Sequence, residues 1–151
     1  MIVDVLASVL VLLSGVLAGV LVAVQIAVVP MLAGLPGKQY VEVHRLLDPR
    51  FDPLMPTVDK IALGAGLLLV VLVPGGGARA AFGVAEAGLA GVALVSELSN
   101  VRINRAIAAW DADRLPDGWS TDRSRWARSN LHRSWLALAA FAAALAGLFL
   151  V

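Results

Sequence analysis

Residues 95–110 read VSELSNVRINRAIAAW, and in this stretch an apolar helix gains polar side chains without losing its helical pattern. At about 100° per residue, Asn100 and Asn104 lie within roughly 60° of Glu97 around the helix axis. Glu86 lies within roughly 20° of Glu97 on the same stripe. A carboxylate and two amides are costly in lipid unless they face protein or water. The stretch therefore predicts a long helix whose polar stripe points into a bundle.

The composition is that of an integral membrane protein. Of 151 residues, 60% are hydrophobic and only 15% are charged, and the mean hydropathy of +0.85 is far above that of a soluble domain. The charged residues lie almost entirely in residues 38–60 and 97–133. The net charge of +1 indicates no nucleic-acid partner, and the absence of Cys excludes disulfides and thiolate sites. The lipid bilayer is therefore the expected surrounding.

Four apolar runs are long enough, alone or with their flanks, to cross about 30 Å of hydrocarbon. They cover residues 5–29, residues 61–73 with a helix start near Pro56, residues 80–110, and residues from 120 or 121 to 151. The third and fourth helices should project beyond the bilayer and meet at a turn over residues 111–120. We therefore predict an all-α fold, an integral membrane four-helix bundle forming one transmembrane domain over residues 1–151.

The first connection should add a short helix at one end of this bundle. Residues 38–47 can form a helix, which Pro49 is expected to end. One amphipathic face of this helix is formed by Tyr40, His44, Leu47 and Phe51. We expect that face to cover the mouth of the bundle.

The cations favour one membrane orientation. Four Lys and Arg residues lie in the first connection, one in the second, and seven between Arg102 and Arg133. By the positive-inside rule, the first and third connections are expected in the cytoplasm.

Small residues indicate where helices approach closely. Gly15 and Gly19 form a GxxxG motif, and the small residues Gly83, Ala87 and Gly91 repeat at the same four-residue spacing. We assign both patterns to packing within the chain, and a homo-oligomer interface is the alternative.

The fourth helix carries a second polar stripe. Trp126, Asn130 and Arg133 share one face, while His132 lies about 160° around the helix from Asn130. Because the third and fourth helices run antiparallel, Arg133 should enter the bundle near Glu97. An ion pair between them would let both remain charged at reduced cost. A purely structural ion pair with amide crosslinks is the alternative to a functional site.

A metal site is a second alternative. Glu97, His44 and His132 are acceptable ligands for zinc, iron or copper. However, the chain has no HxxxH or ExxH spacing, and His132 lies off the polar stripe. These residues are therefore metal ligands only if a metal is present, and His44 is also expected as an ordinary interfacial histidine.

Two sequence motifs of the chain resemble those of a known protein family. Residues 100–104 read NVRIN and are followed by AAWD at residues 108–111, and Trp126, Asn130 and Arg133 then lead into an apolar last span. This order resembles the family of membrane proteins that includes anthrone oxygenases, whose usual pattern is NVPxNxxLAxW followed by WxxxNxxR. The chain departs from the pattern at Arg102, where the family usually has Pro.

The resemblance implies oxidation of a lipophilic aromatic or ketone substrate by O2. In such a scheme an acidic C–H loses a proton, and the resulting anion reacts with O2 without a cofactor; a redox metal, iron or copper, is the variant. Glu97 would be the base, and the groups that stabilise the enolate-like oxygen would be Asn100, Asn104, Asn130 and Arg133. The residues expected to contact the substrate are Gln25, Tyr40, His44, Trp110 and Trp126.

A non-enzymatic membrane protein is the rival interpretation. It would bind a lipophilic molecule or stabilise a larger complex, with the polar cluster holding the bundle together. The chain contains no P-loop, GxSxG elbow or dinucleotide fingerprint, so kinase, hydrolase and NAD-dependent activities have no support.

Overall fold

A computed structural model describes residues 1–151, and it contains helices and no β-strand. Its α-helices are α1 (Ile2–Ala23), α2 (Val29–Ala33), α3 (Gly37–Phe51), α4 (Leu54–Leu72), α5 (Gly76–Val95), α6 (Val101–Ala109) and α7 (Trp119–Leu148). Two π-helical turns interrupt the long helices, the first at Val24–Val28 and the second at Ser96–Asn100. Four helical stretches are long and apolar enough to cross a membrane. The predicted all-α membrane bundle is confirmed.

The bundle is formed by α1, α4, α5 and α7. Helix α1 packs against α4 and α7, and α5 packs against the same two helices. Small side chains on α7, such as Ala137 and Ala140, are fully buried and let the helices approach closely. Larger residues, including Leu10, Leu69 and Phe82, fill the remaining space. Helix packing therefore buries an apolar core while the outer faces present Leu and Val to lipid.

One end of the bundle is covered by a cap layer, formed by α3, α6 and the connection at residues 110–118. Tyr40, Val41 and Ile107 are fully buried in this layer. Arg45 of α3 donates to the carbonyl of Ile107 at 3.2 Å and also to the carbonyl of Trp110. The first connection thus covers the bundle as predicted, and the arginine fixes α3 to the end of α6.

Helix α3 is longer than the sequence indicated. Pro49 was expected to end it, but the helix continues to Phe51 and stops before Pro53. Pro49 is exposed. Its ring lies on the exposed side of α3, and the helix continues past it although Pro49 has no backbone N–H to donate. The extra turn keeps Phe51 on the face that already carries His44 and Leu47.

The second π-helical turn changes the phase of the predicted polar stripe. A π-turn has hydrogen bonds from i to i+5, so it holds more residues per turn than the 3.6 of an α-helix. As a result Asn100 is buried at 2% exposure, whereas the Glu97 side chain is exposed. The predicted stripe assumed a uniform α-helix, so Asn100 lies inside the bundle as predicted whereas Glu97 does not lie fully inside it.

The predicted small-residue contacts are found only in part. Gly15 packs against the ring of Phe141 and Gly91 against Leu136, whereas Gly19 and Gly83 have no neighbour within 4 Å of an added Cβ. A close backbone approach of α5 to α7 occurs at Gly88, which the spacing did not indicate. A Cβ there would lie 2.9 Å from Ala140 Cβ and 3.1 Å from the carbonyl oxygen of Leu136.

Candidate functional site

A cavity of about 320 Å³ lies where the bundle meets the cap layer. One wall is apolar and comes from the end of the first spanning helix, from α2 and from α4. Its residues include Leu17, Leu21, Val24, Val28, Leu32 and Leu63. The polar part of the lining comes from α3, the second π-turn, α6 and α7, together with Asp59 and Lys60 of α4. The cavity is therefore suited to a mainly apolar molecule with one polar edge.

Trp126 is fixed against this cavity by two amides. Its indole Nε1 donates to Asn104 Oδ1 at 2.9 Å, and its carbonyl accepts from Asn100 Nδ2 at 3.3 Å. Asn104 in turn donates through Nδ2 to Asp48 Oδ1 at 2.5 Å. These contacts connect α7, α6 and α3, so the orientation of the indole depends on the cap layer as well as on the bundle.

Arg133 enters the bundle but does not pair with Glu97. Its guanidinium donates to Ser96 Oγ at 3.2 Å and to Asn130 Oδ1 at 3.0 Å. The ion pairs of the structure all lie elsewhere. The predicted Glu97–Arg133 ion pair is therefore wrong, because the π-turn directs Ser96 towards Arg133 and leaves Glu97 exposed. Both Glu97 and Arg133 nevertheless line the cavity.

Asn130 connects the polar wall to the first spanning helix. Its Nδ2 donates to Gln25 Oε1 at 2.9 Å and lies 3.4 Å from the carbonyl oxygen of Leu21. Ser134 Oγ donates to the same carbonyl at 3.1 Å. Gln25 belongs to the first π-turn and does not line the cavity. It therefore supports Asn130 from behind.

His44 is the most buried imidazole of the site. Its ring lies between Tyr40 and Trp126, at centroid distances of 5.7 Å and 5.4 Å. The residue is 4% exposed, lines the cavity, and its Nε2 has no hydrogen-bond partner. Tyr40 and Trp110, the other expected substrate contacts of the cap layer, do not line the cavity. His44 thus presents an unused nitrogen in an otherwise aromatic environment.

The three proposed metal ligands do not form one group. His132 is exposed and lies outside the cavity, whereas His44 and Glu97 line it. No three His, Cys, Asp or Glu side chains are arranged to hold a metal ion. The predicted set of His44, Glu97 and His132 is therefore wrong as a joint site, because the helical phase of α7 directs His132 outwards.

Several buried polar atoms along the cavity have no partner within the chain. They are His44 Nε2, Asp59 Oδ1, Asn100 Oδ1 and Arg133 Nε. Buried polar groups are normally hydrogen-bonded, and leaving one unpaired costs about 1–3 kcal/mol. Four such atoms around one cavity indicate that water or a ligand completes their hydrogen bonds.

Asp48 and Asp59 also line the cavity, although the sequence did not single them out. The predicted helix start near Pro56 places Asp59 within the second span, but no inward-facing position was predicted for it. In the structure α4 begins at Leu54 and buries Asp59 on its inner face. Asp59 lies seven residues before Gly66, so both share one helix face. Because glycine marks close helix packing, this spacing could have identified Asp59 as an inward-facing acid.

Comparison with known proteins gives one family. The family model described as anthrone oxygenase matches residues 51–143, which include α4, α5, both motifs and most of α7. No curated protein and no solved structure matched the chain. Most of the polar lining of the cavity lies in the matched region, whereas His44, Asp48 and the apolar residues of α1 precede it.

Proposed function

Because the chain belongs to the anthrone oxygenase family, we propose that it oxidises a lipophilic aromatic ketone with O2 inside this cavity. The observation that carries the proposal is the mixed lining of the cavity, in which an apolar part adjoins partly unpaired polar groups. An aromatic ketone has matching sides, since its rings are apolar and its oxygen accepts hydrogen bonds. A site between membrane-spanning helices also suits a molecule that dissolves poorly in water.

The proposed chemistry replaces a CH2 group by a carbonyl. A base removes one proton from the acidic carbon, and the electron pair is delocalised onto the ketone oxygen. The anion reduces O2 and forms a carbon–oxygen bond, which gives a peroxide anion. This anion takes up a proton, and loss of the second C–H proton then breaks the O–O bond. The products are a second carbonyl and one water, and no external reductant is needed.

Arg133 is the residue best suited to stabilise the developing negative charge on the ketone oxygen. Two of its nitrogens bind Ser96 and Asn130, which fixes the guanidinium, while its Nε–H is buried without an acceptor. A preorganised donor of this kind is worth about 10²- to 10³-fold in rate. Asn100, Asn104 and Asn130 act with it by holding Trp126 and the guanidinium in place.

Glu97 is the proposed base. It lines the cavity, and its carboxylate is in no ion pair. A carboxylate that is not neutralised by a cation keeps its lone pairs available for a proton. The exposed position of Glu97 also lets a proton held there exchange with solvent.

The direct test is anthrone oxidation by the purified protein in detergent, followed by the absorbance of the product and by O2 uptake. We expect oxidation by the wild type and a loss of at least about 100-fold in Glu97→Gln. Asp117→Asn is the matched control, because this exposed loop carboxyl lies outside the cavity. Unchanged turnover in Glu97→Gln would remove Glu97 as the base.

The same preparation separates the remaining alternatives. Turnover that scales with bound iron or copper would replace the cofactor-free scheme by the redox-metal variant. Saturable binding of anthrone without oxidation would instead support the non-enzymatic, lipophile-binding interpretation.

A further inference from the structure

Asp59 is a buried carboxyl group that the scheme above leaves without a role. It is 6% exposed, lines the cavity from α4, and its Oδ1 has no hydrogen-bond partner. It forms no ion pair with Lys or Arg. Burying a carboxylate without a cation is much more costly than burying the neutral acid.

A second buried carboxyl group lies on the same side of α4 as Asp59. Glu86 of α5 is placed against Gly66 of α4, where a Cβ would collide with its Oε2, and this oxygen is also buried without a partner. Gly66 lies seven residues after Asp59 and therefore on the same helix face. A buried carboxyl group without a cation is held at lowest cost as the neutral acid, and the proposal starts from Asp59 in that form.

The proposed oxidation needs such a proton at a specific stage. Glu97 takes the first C–H proton before O2 adds, and the peroxide anion formed next needs a proton before its O–O bond can break. A group that is already protonated and already in the cavity can supply it without waiting for solvent. Asp59 is a carboxyl group that meets both requirements.

We propose that Asp59 is a second catalytic residue, which protonates the peroxide and then removes the second C–H proton. This inference rests on the proposed function. Asp59 gives its proton to the outer peroxide oxygen, and its carboxylate then takes the remaining C–H proton as the carbonyl forms. The O–O bond breaks and hydroxide leaves, and the hydroxide takes the proton held by Glu97 to become water. Both carboxyl groups return to their starting states.

Two measurements on the same protein separate the two proton transfers. Exchange of the anthrone CH2 protons with D2O under anaerobic conditions reports the first transfer alone. Ketone formation in air reports the whole reaction. In Asp59→Asn we expect exchange within about threefold of the wild type but ketone formation slowed by roughly 100-fold. Glu97→Gln should lose both activities, and Asp117→Asn should keep both.

Each outcome decides a separate point. A wild type that neither exchanges nor oxidises anthrone overturns the proposed function and the role of Asp59 with it. A wild type that oxidises anthrone while Asp59→Asn does so equally fast overturns the role of Asp59 alone. Loss of exchange in Asp59→Asn also overturns that role, since Asp59 would then act before O2 or support the fold. If Asp59→Asn cannot be purified, Asp59→Glu and Asp59→Gln are compared in the same assays, and only Asp59→Glu should form ketone.

Discussion

Asn130 of α7 donates a 2.9 Å hydrogen bond to Gln25, which lies in the first π-helical turn. The same amide accepts a 3.0 Å hydrogen bond from Arg133 through its Oδ1. One fully buried side chain therefore fixes the first spanning helix and orients the guanidinium of the cavity wall. Stability and the geometry of the site depend on the same residue.

Replacing Asn130 by Ala should destabilise the protein by about 1–3 kcal/mol, because Gln25 loses its donor and one arginine nitrogen loses its acceptor. Unfolding in detergent micelles measures this loss. Arg128→Ala is the matched control, since Arg128 lies on the same helix, is exposed and forms no side-chain hydrogen bond or ion pair. Equal stability of the two variants would show that the Asn130 hydrogen bonds contribute little.

Trp126→Phe tests the link between the cavity and the cap layer. The change keeps an aromatic ring but removes the Nε1–H that binds Asn104 at 2.9 Å. The unpaired amide oxygen should cost about 1–2 kcal/mol. Trp135→Phe provides the comparison, because Trp135 is 65% exposed on the outer face of the same helix. We expect the unfolding midpoint of Trp135→Phe to stay within about 1 °C of the wild type, because surface substitutions change stability little.

The polar residues of the site could be predicted from the sequence, but their exact contacts could not. Helical spacing alone places Trp126, Asn130 and Arg133 on one face, and this prediction holds because α7 is an uninterrupted helix. Spacing failed at Glu97, since it assumes 3.6 residues per turn and the π-turn at Ser96–Asn100 departs from that value. The acceptor of Arg133 therefore became Ser96 instead of Glu97.

Asp59 was missed for a different physical reason. Hydropathy locates the apolar part of a span, but helices extend past it into segments with charges. Helix α4 begins at Leu54, two residues before the predicted start at Pro56, so Asp59 lies within the predicted helix. Which face of that helix is buried depends on how α4 packs against α1 and α5, and hydropathy alone does not reveal it.

Gly88→Ala should destabilise the contact between α5 and α7. The added Cβ would lie 3.1 Å from the carbonyl oxygen of Leu136, and a backbone atom cannot move aside as a side chain can. Overpacking of this kind costs about 1–3 kcal/mol. Gly83→Ala on the same helix meets nothing within 4 Å, so it should be neutral or slightly stabilising. A larger loss of stability in Gly83→Ala than in Gly88→Ala would contradict the helix packing.

The orientation of the protein can be tested because the chain has no natural Cys. We propose that the first and third connections are cytoplasmic, as the distribution of Lys and Arg indicates. A membrane-impermeant thiol reagent added to intact cells should then label Gly75→Cys and leave Asp117→Cys unlabelled until the membrane is opened. Both positions are exposed and lie in opposite connections. The reverse labelling pattern would place the cap layer outside the cell.

Arg133→Lys tests whether the shape of the guanidinium matters beyond its charge. Arginine binds Ser96 and Asn130 with two nitrogens and keeps its Nε–H free. A lysine ammonium is a single point donor and cannot hold both partners in this planar arrangement. We therefore expect anthrone oxidation to fall by about 10²-fold, as for other preorganised donors to a developing oxyanion. Arg128→Lys should retain full activity, and wild-type rates in Arg133→Lys would show that a positive charge at this position is sufficient.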